Sequence, residues 1–239
     1  MSAYRQSPFS NLTPVVKNLL IINVIFFVAT FLLRNTFDMD RWLAIYYFNS
    51  PNFKLWQIIS YMFMHGNFLH IFFNMLALFM FGPMLEYSVG AKRFLNLYFI
   101  CGIGAIIIQW IVQAIQIHAI TGAFTISHPE LDSSYMAFGP MAQKLYGIYN
   151  IPLVGASGAI CGVLIAFAML YPNMEIIMLY FPVPIKAKYI IPCYLLVELF
   201  FGIKQTGGDN VAHFAHLGGA LFGFLVVKFW RLNRPNNYF

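Results

Sequence analysis

The sequence predicts an all-α, polytopic membrane protein built as a bundle of six transmembrane helices. Three observations carry this. Of 239 residues, 60% are hydrophobic and only 9% charged, far from the roughly 25% charged residues of an average soluble domain. The charges stand so far apart that several apolar stretches approach or exceed the ~20 residues needed to cross a ~30 Å hydrocarbon core. Turn and charge clusters divide those stretches into six runs.

The first run, Leu19 to Leu33, lies between Lys17 and Arg34. Met1 to Pro14 is polar and lacks the apolar core and cleavage site of a signal peptide, so the run is expected to remain as a helix. No Asp, Glu, Lys or Arg occurs from Leu55 to Leu85, but Pro51, His65, Gly66 and Asn67 interrupt the early part. The second span is therefore expected from Asn67, as N-cap, to Glu86. Phe94 to Gln113 forms a third. The segment from there to Asn150 reads as a long loop with one short amphipathic helix, and loops of that length are commonly functional or disordered.

The fourth run lies between Pro152 and Pro172, which predicts a short helix whose start is buried below the membrane surface. Pro182 and Pro184 forbid one continuous helix in the next segment. A fifth span follows from Tyr189 to about Ile203, with Pro192 in its first turn, and a sixth from Val211 to Trp230. The domain plan is a short N-terminal segment (residues 1–14), one six-span domain (15–230) and a tail (231–239).

Six spans put both termini on one side. The termini and even-numbered turns hold nine Lys and Arg (Arg5, Lys17, Lys92, Arg93, Lys186, Lys188, Lys228, Arg231, Arg234), against five in the odd-numbered loops (Arg34, Arg41, Lys54, Lys144, Lys204). The positive-inside rule then makes both terminal segments cytoplasmic. The net charge of +6 is scattered and forms no basic stripe, which argues against a nucleic-acid partner. Cys101, Cys161 and Cys193 are odd in number and lie in apolar runs; they read as small buried hydrophobes rather than a disulfide framework.

Polar side chains inside spans are costly and flag function. Spans two, four and six run in the same direction, so equal distance from their starts means equal depth. Ser157 lies five residues past Pro152, His216 five past Val211 and His70 three past Asn67, each roughly 5 to 8 Å into its helix. Gly158 and Gly162 on span four, and Gly219 and Gly223 on span six, have the small-xxx-small spacing that lets backbones approach closely. Packing of those faces would carry the Ser157 hydroxyl toward the His216 imidazole, a nucleophile with a base. His70 and Asn74, at i and i+4, project from one face and suit stabilisation of an oxyanion. His213, one turn before His216, is a rival base. Glu86 reads as satisfying backbone groups at the cytoplasmic end, His65 as capping or lining a water-filled mouth, and His118 and His128 as surface residues of the long loop.

These motifs resemble the rhomboid proteases. GASG at Gly155 to Gly158 looks like the family's nucleophile motif, AHLGGALFG at Ala215 to Gly223 its histidine helix, and HIFFN at His70 to Asn74 its H-x-x-x-N element. The turn MHGN and the stretch FGPMLEYSVGAKRF are similar as well, so the resemblance covers roughly residues 56 to 228. It implies a six-span intramembrane serine endopeptidase in a bacterial inner membrane, with a Ser157–His216 dyad lacking an aspartate. It also implies an oxyanion site made by the Ser157 amide, His70 and Asn74, no metal or cofactor, and transmembrane proteins as substrates within the lipid bilayer. Cys161 stands where many relatives carry a tyrosine beneath the base, and the loop before Ser157 is longer than in minimal bacterial members. Two other readings compete. One is a catalytically inactive rhomboid-like protein binding transmembrane clients; the other is a metal carrier using His65, His70, His213 and His216, against which no carboxylate is expected at their depth.

Overall fold

The structure is a computed structural model that describes residues 12–178, 181–204 and 212–233. Helix α1 runs from Pro14 to Leu33, starting five residues before the apolar run; Pro14 suits a first turn because its missing N–H has no intrahelical partner to lose. The remaining backbone donors of that turn are met from across the bundle. Glu86 accepts from Val15 N at 3.0 Å, from Val16 N at 2.9 Å and from the Thr13 hydroxyl. The backbone role expected of Glu86 is thus that of a distant cap, tying the start of α1 to the end of the second long helix.

The short helices α2 (Met39–Leu43) and α3 (Gln57–Ser60) and a 3-10 turn (Tyr61–Phe63) lead to α4 (Phe68–Val89). Asn67 caps α4 as expected, its side chain accepting from His70 N at 2.8 Å. Helix α5 (Ala91–Thr121) is 31 residues long, eight longer than expected at its C-terminal end, so His118 lies on its last turn rather than in the loop. The long loop is ordered. It forms α6 (Ser133–Met136), a 3-10 turn (Gly139–Met141) and α7 (Ala142–Asn150), where one helix was expected.

These pieces carry a second small core in which Tyr47, Ile117, Tyr135, Leu145 and Tyr149 pack together. Tyr47 donates to Phe124 O at 2.8 Å and Ser50 to Tyr149 O at 2.6 Å, and Ile45 bridges to Leu153. His128 stays at the surface, its Nδ1 3.0 Å from Glu130. The Glu130 carboxyl is held below the usual range by its own backbone N–H first and by His128 second.

Helix α8 (Ser157–Leu170) has 14 residues. A two-stranded antiparallel hairpin follows, β1 (Glu175–Met178) with β2 (Phe181–Lys186), a strand pair in a chain expected to be all helical; two prolines exclude a helix there but are tolerated on an edge strand. Helix α9 (Ala187–Lys204) holds Pro192 in its second turn rather than its first, and α10 (His213–Phe229) closes the bundle. Helices α1, α4 and α5 are long and apolar enough to cross a membrane, and α8 and α10 are shorter apolar helices. Large apolar side chains such as Ile25, Phe31 and Leu32 on α1 and Leu196, Phe200 and Ile203 on α9 stand exposed, as expected of surfaces bathed by lipid. Cys101 and Cys161 are buried, but Cys193 is exposed, so one cysteine departs from the expected burial.

Helix α8 lies at the centre, between α4, α5, α9 and α10. It packs on α10 with almost no space between backbones. A Cβ at Gly219 would land on the Gly158 carbonyl oxygen, and one at Gly223 would lie 2.5 Å from the Gly162 carbonyl oxygen. On the other side of α8, Cβ atoms at Gly158 and Gly162 would meet Ala105 and Cys101 of α5. Gly219 and Gly223 therefore hold α10, and Gly158 and Gly162 hold α5, against α8 at separations no larger residue permits.

Candidate active site

Residues 152–156 are not helical, and α8 begins at Ser157 itself. The expected helix start at Pro152 is thus five residues too early, because Leu153 pairs with Ile45 and Gly155 N donates to Tyr61 O at 3.0 Å. Ser157 consequently occupies the first turn of α8, where backbone N–H groups have no intrahelical acceptor. Gly155 has a positive φ of 127°, and a Cβ there would lie 2.7 Å from His70 Nε2 and 3.4 Å from Ser157 Oγ. Only glycine leaves the space between the His70 imidazole and the Ser157 hydroxyl open.

His216, on the first turn of α10, places Nε2 2.8 Å from Ser157 Oγ. The proximity expected from the glycine spacing is present. His70 faces the same space from α4, with Asn74 buried one turn further along that helix. The Asn74 side-chain amide nitrogen has no hydrogen-bond partner among the described residues. His65 is not at an open mouth but buried, its ring edge-on to His70 at 5.1 Å.

The other nitrogen of His216 makes a contact that sequence reasoning missed. His216 Nδ1 lies 2.9 Å from Glu198 Oε2, and His213 Nδ1 lies 2.7 Å from the same oxygen. This corrects the expectation that no carboxylate accompanies the two histidines at their depth. An acidic residue within the otherwise apolar stretch YLLVELFF was itself the signal. His213 stacks on Phe201 at 5.9 Å and does not approach Ser157 as His216 does. Around Cys161, which stands where the resemblance noted in the sequence implies a tyrosine, the space is furnished from α9: the Tyr194 hydroxyl is 3.8 Å from Cys161 Sγ and interacts with the Glu198 carboxyl. Glu198, His213 and His216 are also the described residues whose geometry could hold a metal ion, with ligand atoms within 4.8 Å of one another.

A rhomboid domain profile matches residues 52–232, more than half of the chain and a span that includes His65, His70, Asn74, Ser157, Glu198, His213 and His216. The chain belongs to the rhomboid family. It is 31% identical over 170 residues to mitochondrial rhomboid protein 1 of Saccharomyces cerevisiae, covering 71% of this chain and 40% of that protein. Against the rhomboid protease AarA of Providencia stuartii it is 31% identical over 180 residues, covering 72% of this chain and 54% of the relative. Rhomboid-like protease 3 of Toxoplasma gondii is 24% identical over 181 residues, with 75% and 53% covered. The matched region thus spans about half the length of these rhomboid relatives. Family membership, together with the apolar helices, makes the chain an integral membrane protein of a family of intramembrane proteases.

Proposed function

We propose that this rhomboid is an intramembrane serine endopeptidase that cleaves transmembrane segments near the outer face of the membrane. The observation that carries the reading is the 2.8 Å contact between Ser157 Oγ and His216 Nε2, at the start of a helix and against the center of the bundle. Ser157 is the nucleophile and His216 its base. As Oγ attacks the scissile carbonyl, its proton passes to Nε2 and the carbonyl oxygen gains negative charge. The Ser157 amide, at a helix start with unpaired N–H groups, and the His70 and Asn74 side chains stabilise that oxyanion. The protonated imidazole then returns the proton to the departing amine, leaving an acyl-serine. Water, activated by the same nitrogen, hydrolyses it.

In this reading α1, α4, α5, α8, α9 and α10 are the six spans, and the short α8 sets Ser157 below the surface. The excess of Lys and Arg in the termini and even-numbered turns supports a topology with both termini in the cytoplasm, for a chain in a bacterial inner membrane. The substrates are single-span or other transmembrane proteins. A fluorophosphonate or isocoumarin probe tests the nucleophile: it labels the wild type and not Ser157→Ala. A folded wild type that takes no label would favour the client-binding relative instead. The His213, His216 and Glu198 cluster favours a second reading, metal binding. Activity that survives chelators supports the protease, whereas a loss restored by zinc would support the metal site.

A further inference from the structure

The geometry points to Glu198 as a third member of the catalytic array, a positioning residue that holds His216 through Nδ1 while His213 holds the carboxylate from its other side. This rests on the protease reading above. A histidine can accept the serine proton at Nε2 only if Nδ1 carries the ring's hydrogen, and the neutral ring chooses between the two nitrogens according to what each one meets. Here Nε2 meets a hydroxyl at 2.8 Å and Nδ1 a carboxylate oxygen at 2.9 Å. A carboxylate accepts and does not donate, so Nδ1 is the protonated nitrogen and Nε2 is free to act as base.

When the serine proton moves to Nε2 the ring becomes a cation, and the carboxylate on its far side stabilises that charge. Glu198 remains ionised throughout, and the proton goes on to the leaving amine. The arrangement also accounts for an otherwise costly residue. An acidic group at this depth is tolerated only when paired, and Glu198 Oε2 faces His213 Nδ1 and His216 Nδ1 on α10, with Tyr194 of its own helix nearby. Among the described residues, Ser157 on α8 and His70 on α4 also face His216, and Cys161 on α8 faces Tyr194 and Glu198.

His213 thereby acquires a role without being the base. Its hydrogen bond and its stack on Phe201 fix the carboxylate against α10. Because Glu198 is on α9 and His216 on α10, the array is complete only while those two helices are docked.

The test compares wild type, Glu198→Gln and Glu198→Asp in cleavage of a single-span reporter, and by nitrogen-15 spectra of labelled histidine. The expected result for Glu198→Gln is a kcat lower by ~10² to 10⁴, KM unchanged, and loss of the strongly deshielded His216 Nδ1 proton that a carboxylate partner produces. Glu198→Asp, which keeps the charge on a shorter arm, should recover part of the turnover and part of that signal. Wild-type turnover in Glu198→Gln would overturn the inference. So would lost turnover with the deshielded proton retained, which is the mark of a merely structural residue. Should wild type itself cleave nothing, the protease reading fails, and the deshielded proton alone decides whether Glu198 holds His216.

Discussion

A serine hydroxyl inside a membrane protein ordinarily returns its hydrogen bond to the helix that carries it. Ser157 cannot easily do so, because it opens its helix and its hydroxyl instead faces a ring nitrogen. Two histidines compete for the part of base, and the contact distances separate them: His216 touches both Ser157 and Glu198, His213 only the latter of the two. His216→Ala should therefore lower kcat by ~10⁴ or more, as loss of a catalytic base does elsewhere. His213→Ala removes one hydrogen bond to a charged group and should cost about ten- to a hundredfold. Steady-state cleavage of a reporter measures both, and a reversed order would move the base to His213. His70→Ala and Asn74→Ala should each reduce turnover by ~10² to 10³ with little change in KM, since oxyanion donors act in the transition state. Unchanged turnover in both variants would leave the pair with a structural role only.

At the scale of elements, helix contacts were legible where spacing fixes them and illegible where a loop overrides spacing. Gly158, Gly162, Gly219 and Gly223 signalled a close crossing, and the structure places α8 and α10 backbone against backbone there. The start of α8 is not marked by Pro152, because the Ile45 to Leu153 bridge, invisible in local spacing, pulls residues before Ser157 into extended backbone. Glu198 went unmarked although its charge lies among apolar residues, and the second core around Tyr149 was hidden because its partners, Tyr47 and Asn49, are a hundred residues distant in sequence. The crossing yields a prediction of its own. Gly219→Ala puts a methyl onto the Gly158 carbonyl, so the helices must separate, at ~1 to 3 kcal/mol. Both thermal stability in detergent and cleavage should fall. Gly147→Ala serves as the contrast, since its Cβ meets nothing nearer than 3.7 Å in the middle of α7, and it should be neutral or stabilising by ~0.5 to 1 kcal/mol.

For the whole molecule the question is how a substrate helix reaches Ser157. A peptide bond inside a stable helix has its carbonyl engaged, so the substrate must unwind locally before it can be attacked. Helix α9 presents an apolar outer face and is expected to move aside as a lateral gate. Two adjacent glycines after α9, Gly207 and Gly208, supply the backbone freedom expected of a hinge; both lie outside the described residues. In this reading Glu198 travels with α9, so entry and chemistry would be coupled: the gate would open to admit the substrate and return before Glu198 again holds His216. A disulfide engineered between α4 and α9 should block cleavage of a full-length transmembrane substrate reversibly, while small probes still label Ser157. Normal cleavage by the locked protein would exclude entry past α9.

The central claim is that Ser157 cuts peptide bonds within transmembrane segments, and reconstitution tests it most directly. Purified wild type and Ser157→Ala are placed in lipid vesicles with a single-span reporter carrying a small residue near the outer end of its span and a Gly or Pro just inside it. Mass spectrometry of the fragments then locates any cut. The account predicts two fragments from the wild type, cut at the small residue, and none from Ser157→Ala. Equal cleavage by the two proteins would contradict it.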